Sequence, residues 1–148
     1  GRIFVLTGDG ELQEGQIWES LISAVRFGLG EITVIVDHNK LQSDTFVDAT
    51  SPLGELEDKL RSFGAHVERV DGHDIRALAA ASARSKLVKD RPQVIIAGPI
   101  MGRGVSFMEH TALDSDVALY RFHSGAPEAS AYTRAAYELM DKLRVDAL

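Results

Sequence analysis

Gly8-Asp9-Gly10-Glu11-Leu12-Gln13-Glu14-Gly15 decides the fold, together with the apolar run Ile3-Phe4-Val5-Leu6 before it and Ile32-Thr33-Val34-Ile35-Val36, Asp37-His38-Asn39-Lys40-Leu41 after it. The run from Arg2 to Thr7 is short, partly β-branched and stopped by glycine, as a buried strand of a parallel sheet is. Ile17, Leu21, Ile22 and Val25 then recur at helical spacing, and Gly28 and Gly30 stop the helix. A second apolar run, Ile32 to Val36, completes a strand, loop, helix and strand, the size of one right-handed crossover. Parallel strands release Asp9 and Asn39 at the same edge of the sheet, so both can face one site. Gly8 and Gly10 let the backbone turn tightly around Asp9 and approach a ligand with no Cβ in the way. A carboxylate, an amide oxygen and loop carbonyls are hard oxygen donors, the set that magnesium or calcium takes, with phosphate oxygens completing the shell.

Composition narrows the classes. The chain has 148 residues, 45% of them apolar and 26% charged, which suits one globular domain with a core of its own. Sixteen basic against 22 acidic residues give a formal charge of −6, and no basic stripe interrupts it. Nucleic acid and anionic membranes are therefore poor partners. The sequence has no cysteine, which removes disulfides, thiolate metal sites and cysteine nucleophiles and is compatible with the cytoplasm. No apolar stretch approaches the roughly 20 residues of a membrane span, and no signal peptide opens the chain. It begins at Gly1, directly at a strand expected to lie mid-sheet, so a segment of a longer polypeptide is expected.

Further along, Gln42 to Ser51 reads as a polar loop, and Pro52 as a first-turn residue of a helix carrying Leu53, Leu56, Leu60 and Phe63 up to Gly64. His66 to Val70 is a third strand. Asp74 is expected to cap a helix from Ile75 to about Val88 that packs Ala77, Leu78, Ala81 and Leu87 on the sheet. Gln93 to Ala97 is a fourth strand. Strand and helix alternate, which predicts an α/β fold with a parallel sheet flanked by helices, one domain over residues 1–148. Pro99 to Glu109 is a glycine-punctuated loop at the same carboxyl edge as Asp9 and Asn39, where ligands of such folds bind. Glu128 to Leu143 is helical, with Tyr132, Ala135, Ala136, Leu139, Met140 and Leu143 in one stripe.

Gly8-Asp9-Gly10 with Asn39 about thirty residues on resembles the thiamine diphosphate fingerprint. Glu11-Leu12-Gln13-Glu14-Gly15 and Asp37 to Gln42 look specifically like transketolases, and the likeness continues at Val70 to Asp74, Gly102 to Glu109 and Phe122 to Pro127. The resemblance implies a thiamine diphosphate-binding fold, specifically the diphosphate-binding domain. It implies magnesium, with calcium as a possible substitute, held by Asp9, Asn39 and the Leu41 carbonyl. Gly8, Asp9, Gly10, Glu11, Asn39, Leu41 and His123 would line the cofactor, with the Gly10 amide meeting the diphosphate. Glu14 and Glu19, which the residues alone would place as favourable charges at a helix start, would instead join a buried carboxylate network across the interface between two such domains. His123 would lie beside the diphosphate and the donor's hydroxyls, where imidazole donates hydrogen bonds or shuttles protons. Two departures stand out: Thr45 replaces a glycine after Asp44, and Ser124 replaces one after His123. Residues His110 to Tyr120 look like an insertion relative to the family's shorter connection.

The implied activity is transfer of a two-carbon ketol unit from a ketose donor, a sugar phosphate or related compound, to an aldehyde acceptor. A separate pyrimidine-binding domain would supply the glutamate that activates the cofactor, so the chain is incomplete alone. It is expected to be either the first subunit of a split, heterotetrameric transketolase or a fragment of a fused one. Two related readings are the α component of a 2-oxo acid dehydrogenase and a deoxyxylulose synthase; a third is a non-catalytic assembly partner. A nucleotide-binding Rossmann module is disfavoured, since Gly-x-Gly-x-x-Gly and a Walker loop are both missing. Asp37 competes as a ligand but reads rather as a residue that stabilises the loop or ends the strand, His38 as loop surface and His73 as a structural hydrogen-bonder, while His66 and His110 carry no special claim. Arg103 and Ser106 either border the site or lie on a solvated loop face.

Overall fold

The strand and helix alternation closes into a four-stranded sheet in which every pairing is parallel. In the computed structural model, which describes residues 1–112 and 119–145, the strands are β1 (Ile3–Gly8), β2 (Ile32–Asp37), β5 (His66–Asp71) and β6 (Gln93–Gly98). Their order across the sheet is β1-β2-β6-β5, with Gly8 opposite Asp37, Asp37 opposite Ala97 and Asp71 opposite Gly98. All four carboxyl ends therefore open on one edge.

Helix α1 (Gly15–Arg26) and α3 (Leu56–Ser62) cover one face. Leu12, Leu21, Leu56 and Leu60 meet Val36, Val67, Val94 and Ile96 there, with Trp18 against Phe63 at 5.3 Å between ring centres. Helix α4 (Ile75–Ser85) lies over β5 and β6 on the other face and buries Ala81. Asp74 caps it as expected, accepting the Ala77 amide at 2.9 Å. Strand β6 is buried from Gln93 to Ala97, the continuous apolar reading of a central parallel strand.

Among the described residues β1 pairs with β2, and Ile3 is 54% and Leu6 74% exposed. Several expectations need correction. Residues 42–51 are not simply a loop. Leu41–Gln42 (β3) and Thr45–Phe46 (β4) form a hairpin turning through Ser43 at φ +51°, followed by a short helix α2 (Val47–Thr50). Pro52 and Leu53 precede α3 rather than opening it, and Leu53 still reaches the core. Helix α4 stops at Ser85, leaving Leu87 78% exposed. The last helix, α5 (Ala129–Val145), buries only Ala135 of its apolar stripe to below a tenth exposed. It is fastened by polar bonds instead, from the Ser106 amide to Glu138 at 2.8 Å and from Lys142 to the Gly104 carbonyl at 2.7 Å. Of the inferred insertion at 110–120, a 3-10 turn at His110–Ala112 and residues 119 and 120 are described; 113–118 lie outside the described residues.

Candidate diphosphate and metal site

Strands β1 and β2 end side by side, and the Asp9 amide donates to the Asp37 carbonyl at 3.1 Å. The His38 amide then donates to the Ala97 carbonyl at 2.7 Å, which draws the chain after β2 over β6. Asp9 is 1% exposed and accepts the Lys40 amide at 2.6 Å. Asn39, also buried, accepts the Leu41 amide on Oδ1 at 2.8 Å. The two side chains thus grip successive amides of the segment that carries Leu41, and Lys40 between them takes a left-handed φ of +68°. Gly8, Asp9, Gly10, Asn39 and Leu41 are brought together at one edge.

This edge holds more negative charge than the chain neutralises. Burial pushes the Asp9 carboxyl up to about 6; amides of Lys40 and Gly10 oppose the shift and the Asp37 charge adds to it. One Asp37 oxygen, Oδ1, is buried with no hydrogen-bond partner among the described residues. A divalent cation is the group that would offset both. Among the described residues no cluster of three or more acidic or histidine side chains forms a metal cage. The donors present, one carboxylate, one amide oxygen and a carbonyl, instead fit an ion whose shell a diphosphate completes. Gly10 lets the loop pass close to the hairpin, because a Cβ there would meet Gln42 at 2.9 Å. Glu11 ties the loop to itself, accepting the Gly8 amide at 2.8 Å.

Asn39 and Asp37 also line a cleft of about 470 Å³ whose other wall is His73, Pro99, Ile100 and Met101. His73 is the structural hydrogen-bonder expected, accepting the Ile100 amide at 2.7 Å. Two histidines matter more than the sequence showed. His38 is half-buried rather than loop surface, bonded through Nδ1 to Arg69 at 3.0 Å, and burial, then Arg69 and Lys40, hold its pKa below the ordinary value. His110 accepts the Met101 amide at 3.0 Å, and burial, then Lys40, lowers its pKa as well. No local pattern signals either, since their partners lie 31 and nine residues away. Ser106 bonds α5, and Arg103 lines the cleft.

Other expected site residues lie apart. Glu14 and Glu19 are exposed within the chain, and Glu14 begins α1 without a side-chain capping bond. His123 is exposed on a separate cleft of about 410 Å³, with Ser43, Asp44, Tyr120 and Arg121. The hairpin turn is shared: Ser43 and Asp44 line His123's cleft, while Gln42 abuts Gly10.

Known proteins similar to this chain are transketolases or subunits of them. The chain is 39% identical over 107 residues to the 6-deoxy-6-sulfo-D-fructose transketolase subunit of a Clostridium species, covering 72% of this chain and 39% of the relative. It is 33% identical over 141 residues to an apulose-4-phosphate transketolase subunit from Actinobacillus succinogenes, covering 95% of this chain and 48% of that one. The chain thus spans about half or less of the length of the curated relatives it matches. A transketolase from Leishmania mexicana superposes with a TM-score of 0.66 at 31% identity, over 71% of this chain and 16% of that one. A Pichia stipitis transketolase reaches 0.69 over 98% of this chain and 24% of that one, at an identity of 22% that speaks for the fold alone. No helix among the described residues is long and apolar enough to cross a membrane. The family model described as the thiamine diphosphate binding domain of transketolase matches residues 1–121, and the chain belongs to that family.

Proposed function

We propose that residues 1–148 form one diphosphate-binding domain of a cytoplasmic, magnesium-dependent enzyme that transfers a two-carbon ketol unit from a ketose to an aldehyde. The observation that carries this is the buried Asp9, its pKa raised, beside the unpartnered Asp37 oxygen at the edge where Asn39 and Leu41 also converge. Asp9, Asn39 and the Leu41 carbonyl would hold the ion. Gly8, Gly10 and Glu11 would shape the loop that meets the diphosphate. When bound, thiamine diphosphate supplies the electron sink that lets a ketol fragment leave a ketose.

The chain's own residues bind and orient. Burial of Asp9 strengthens its attraction for a cation once one is present, because little water screens it. His123 would donate hydrogen bonds to donor hydroxyls from the neighbouring cleft. Glu14 and Glu19, exposed on the monomer, would meet a second copy of the domain and become buried there. A pyrimidine-binding domain would supply the remaining catalytic glutamate, and relatives named as transketolase subunits support a separate partner chain.

The test is calorimetric titration of thiamine diphosphate, with and without magnesium, into the chain alone and into the chain with a pyrimidine-domain partner. Tight binding only with metal and partner, lost in Asp9→Ala, is the expected result. Turnover of a ketose donor by this chain alone would overturn the split-site reading.

A further inference from the structure

His73 follows β5 and His110 opens the 3-10 turn at 110–112, yet both direct a ring nitrogen to one short piece of backbone. The Ile100 amide donates to His73 Nε2 at 2.7 Å and the next amide, Met101, donates to His110 Nδ1 at 3.0 Å. An imidazole nitrogen accepts only where it carries no proton, so His73 holds its proton on Nδ1 and His110 on Nε2. These are the first two amides after Pro99, which has none to give. Beyond them the loop closes on itself: His110 donates its amide to the Met101 carbonyl at 3.1 Å, and Gly104 donates to Glu109 at 3.0 Å. Gly102 sits at φ +76°, where a Cβ would collide with the Met108 carbonyl. The two imidazoles are thus the side-chain anchors of the loop's entry, and the wall they hold faces Asp37 and Asn39 across the cleft.

We propose that His73 and His110 are paired positioning residues: as acceptors for consecutive amides they set the Pro99–Met101 wall, and with it the width of the cleft. Their effect on cofactor affinity rests on the function proposed above; their effect on the loop does not. Burial, then Lys40, favours the neutral ring of His110, while Glu109 opposes it. Asp71 and Asp74 flank His73 in its own turn, where Asp71 accepts the His73 amide at 2.8 Å.

The experiment uses near-isosteric pairs in the chain assembled with its pyrimidine-domain partner. His73→Gln keeps an acceptor close to where Nε2 stands and His73→Met does not; His110→Asn and His110→Leu make the matching pair. The readouts are hydrogen exchange of the segment carrying the Ile100 and Met101 amides, and calorimetric binding of thiamine diphosphate with magnesium. His73→Met and His110→Leu should each lose amide protection and weaken binding roughly tenfold, from the orphaned amide, while His73→Gln and His110→Asn stay within about threefold of wild type. Equal behaviour of the two members of each pair would overturn the proposal. Loss of protection in His73→Met and His110→Leu, with no cofactor bound even by wild type, would uphold the loop's positioning and sink the cofactor reading instead.

Discussion

At the amino edge of the sheet Gln93, Thr33, Ser85 and Arg2 bond one another with one guanidinium nitrogen left over; at the carboxyl edge the side chains of Asp9, Asp37 and Asn39 make no bond to one another. Gln93, fully buried, accepts from Thr33 at 3.2 Å and from Arg2 at 3.1 Å and donates to the carbonyls of Gly30, at 3.1 Å, and Arg91. Arg2 Nε, on a half-buried side chain, is what remains over. Apart from that one guanidinium nitrogen, the groups of this cluster are neutral and bonded within the chain. The carboxyl edge buries a carboxylate, with a second beside it, and supplies only amides against them. A buried polar network that closes holds a fold together, whereas one left with uncompensated charge marks a place where something binds.

That contrast can be broken in order of effect. Asp9→Ala should weaken magnesium-dependent thiamine diphosphate binding roughly thousandfold or more, because it removes the buried partner of the ion. The metal-free chain should melt no lower, since a desolvated charge is gone; a lower melting temperature would mean that Asp9 serves the fold. Gln93→Leu should do the reverse, costing about 4 kcal/mol in denaturant unfolding by orphaning the Thr33 hydroxyl, the Gly30 carbonyl and Arg2, with binding of the folded fraction unchanged.

A third test is pH. The folded pKa of Asp9, about 6, lies above its ordinary 3.8, so between these values the native state binds more protons than the unfolded one. Metal-free stability should therefore fall as pH rises from about 4 to about 6, by about 2 kcal/mol from this group. Magnesium with diphosphate should remove or reverse that slope. A slope unchanged by metal would separate Asp9 from the ion. Last, Glu68→Gln should change stability by about 0.5 kcal/mol or less and leave binding alone, since its Arg84 partner at 2.7 Å is half exposed. A larger loss would show that surface pairs matter as much as either edge.

Much of the fold was legible because it is written in short-range patterns. Apolar runs ended by glycine or acid placed all four strands, and the parallel arrangement then put Asp9 and Asn39 at one edge. Asp74, three residues before the amide it caps, was readable for the same reason. Leu87 was misread because hydrophobic spacing continues past Ser85, although the helix does not. The stripe on α5 shows the same error: periodicity says which residues share a side, not whether anything covers it. The Ser43–Asp44 hairpin was hidden because neither residue is the glycine or asparagine that usually announces such a turn.

The sequence by itself determined the α/β alternation, the convergence of Asp9 with Asn39, and a Gly10 that lets the loop pass close to its neighbours. Those follow from backbone geometry that each short stretch carries alone. Only the tertiary structure decided that Asp37 Oδ1 is left without a partner among the described residues. Only it showed Gln93 at the centre of the opposite network, and His73 and His110 fastening the cleft wall from separate elements. Burial, desolvation and long-range hydrogen bonds depend on what surrounds an atom in space, and spacing along a chain does not contain that information.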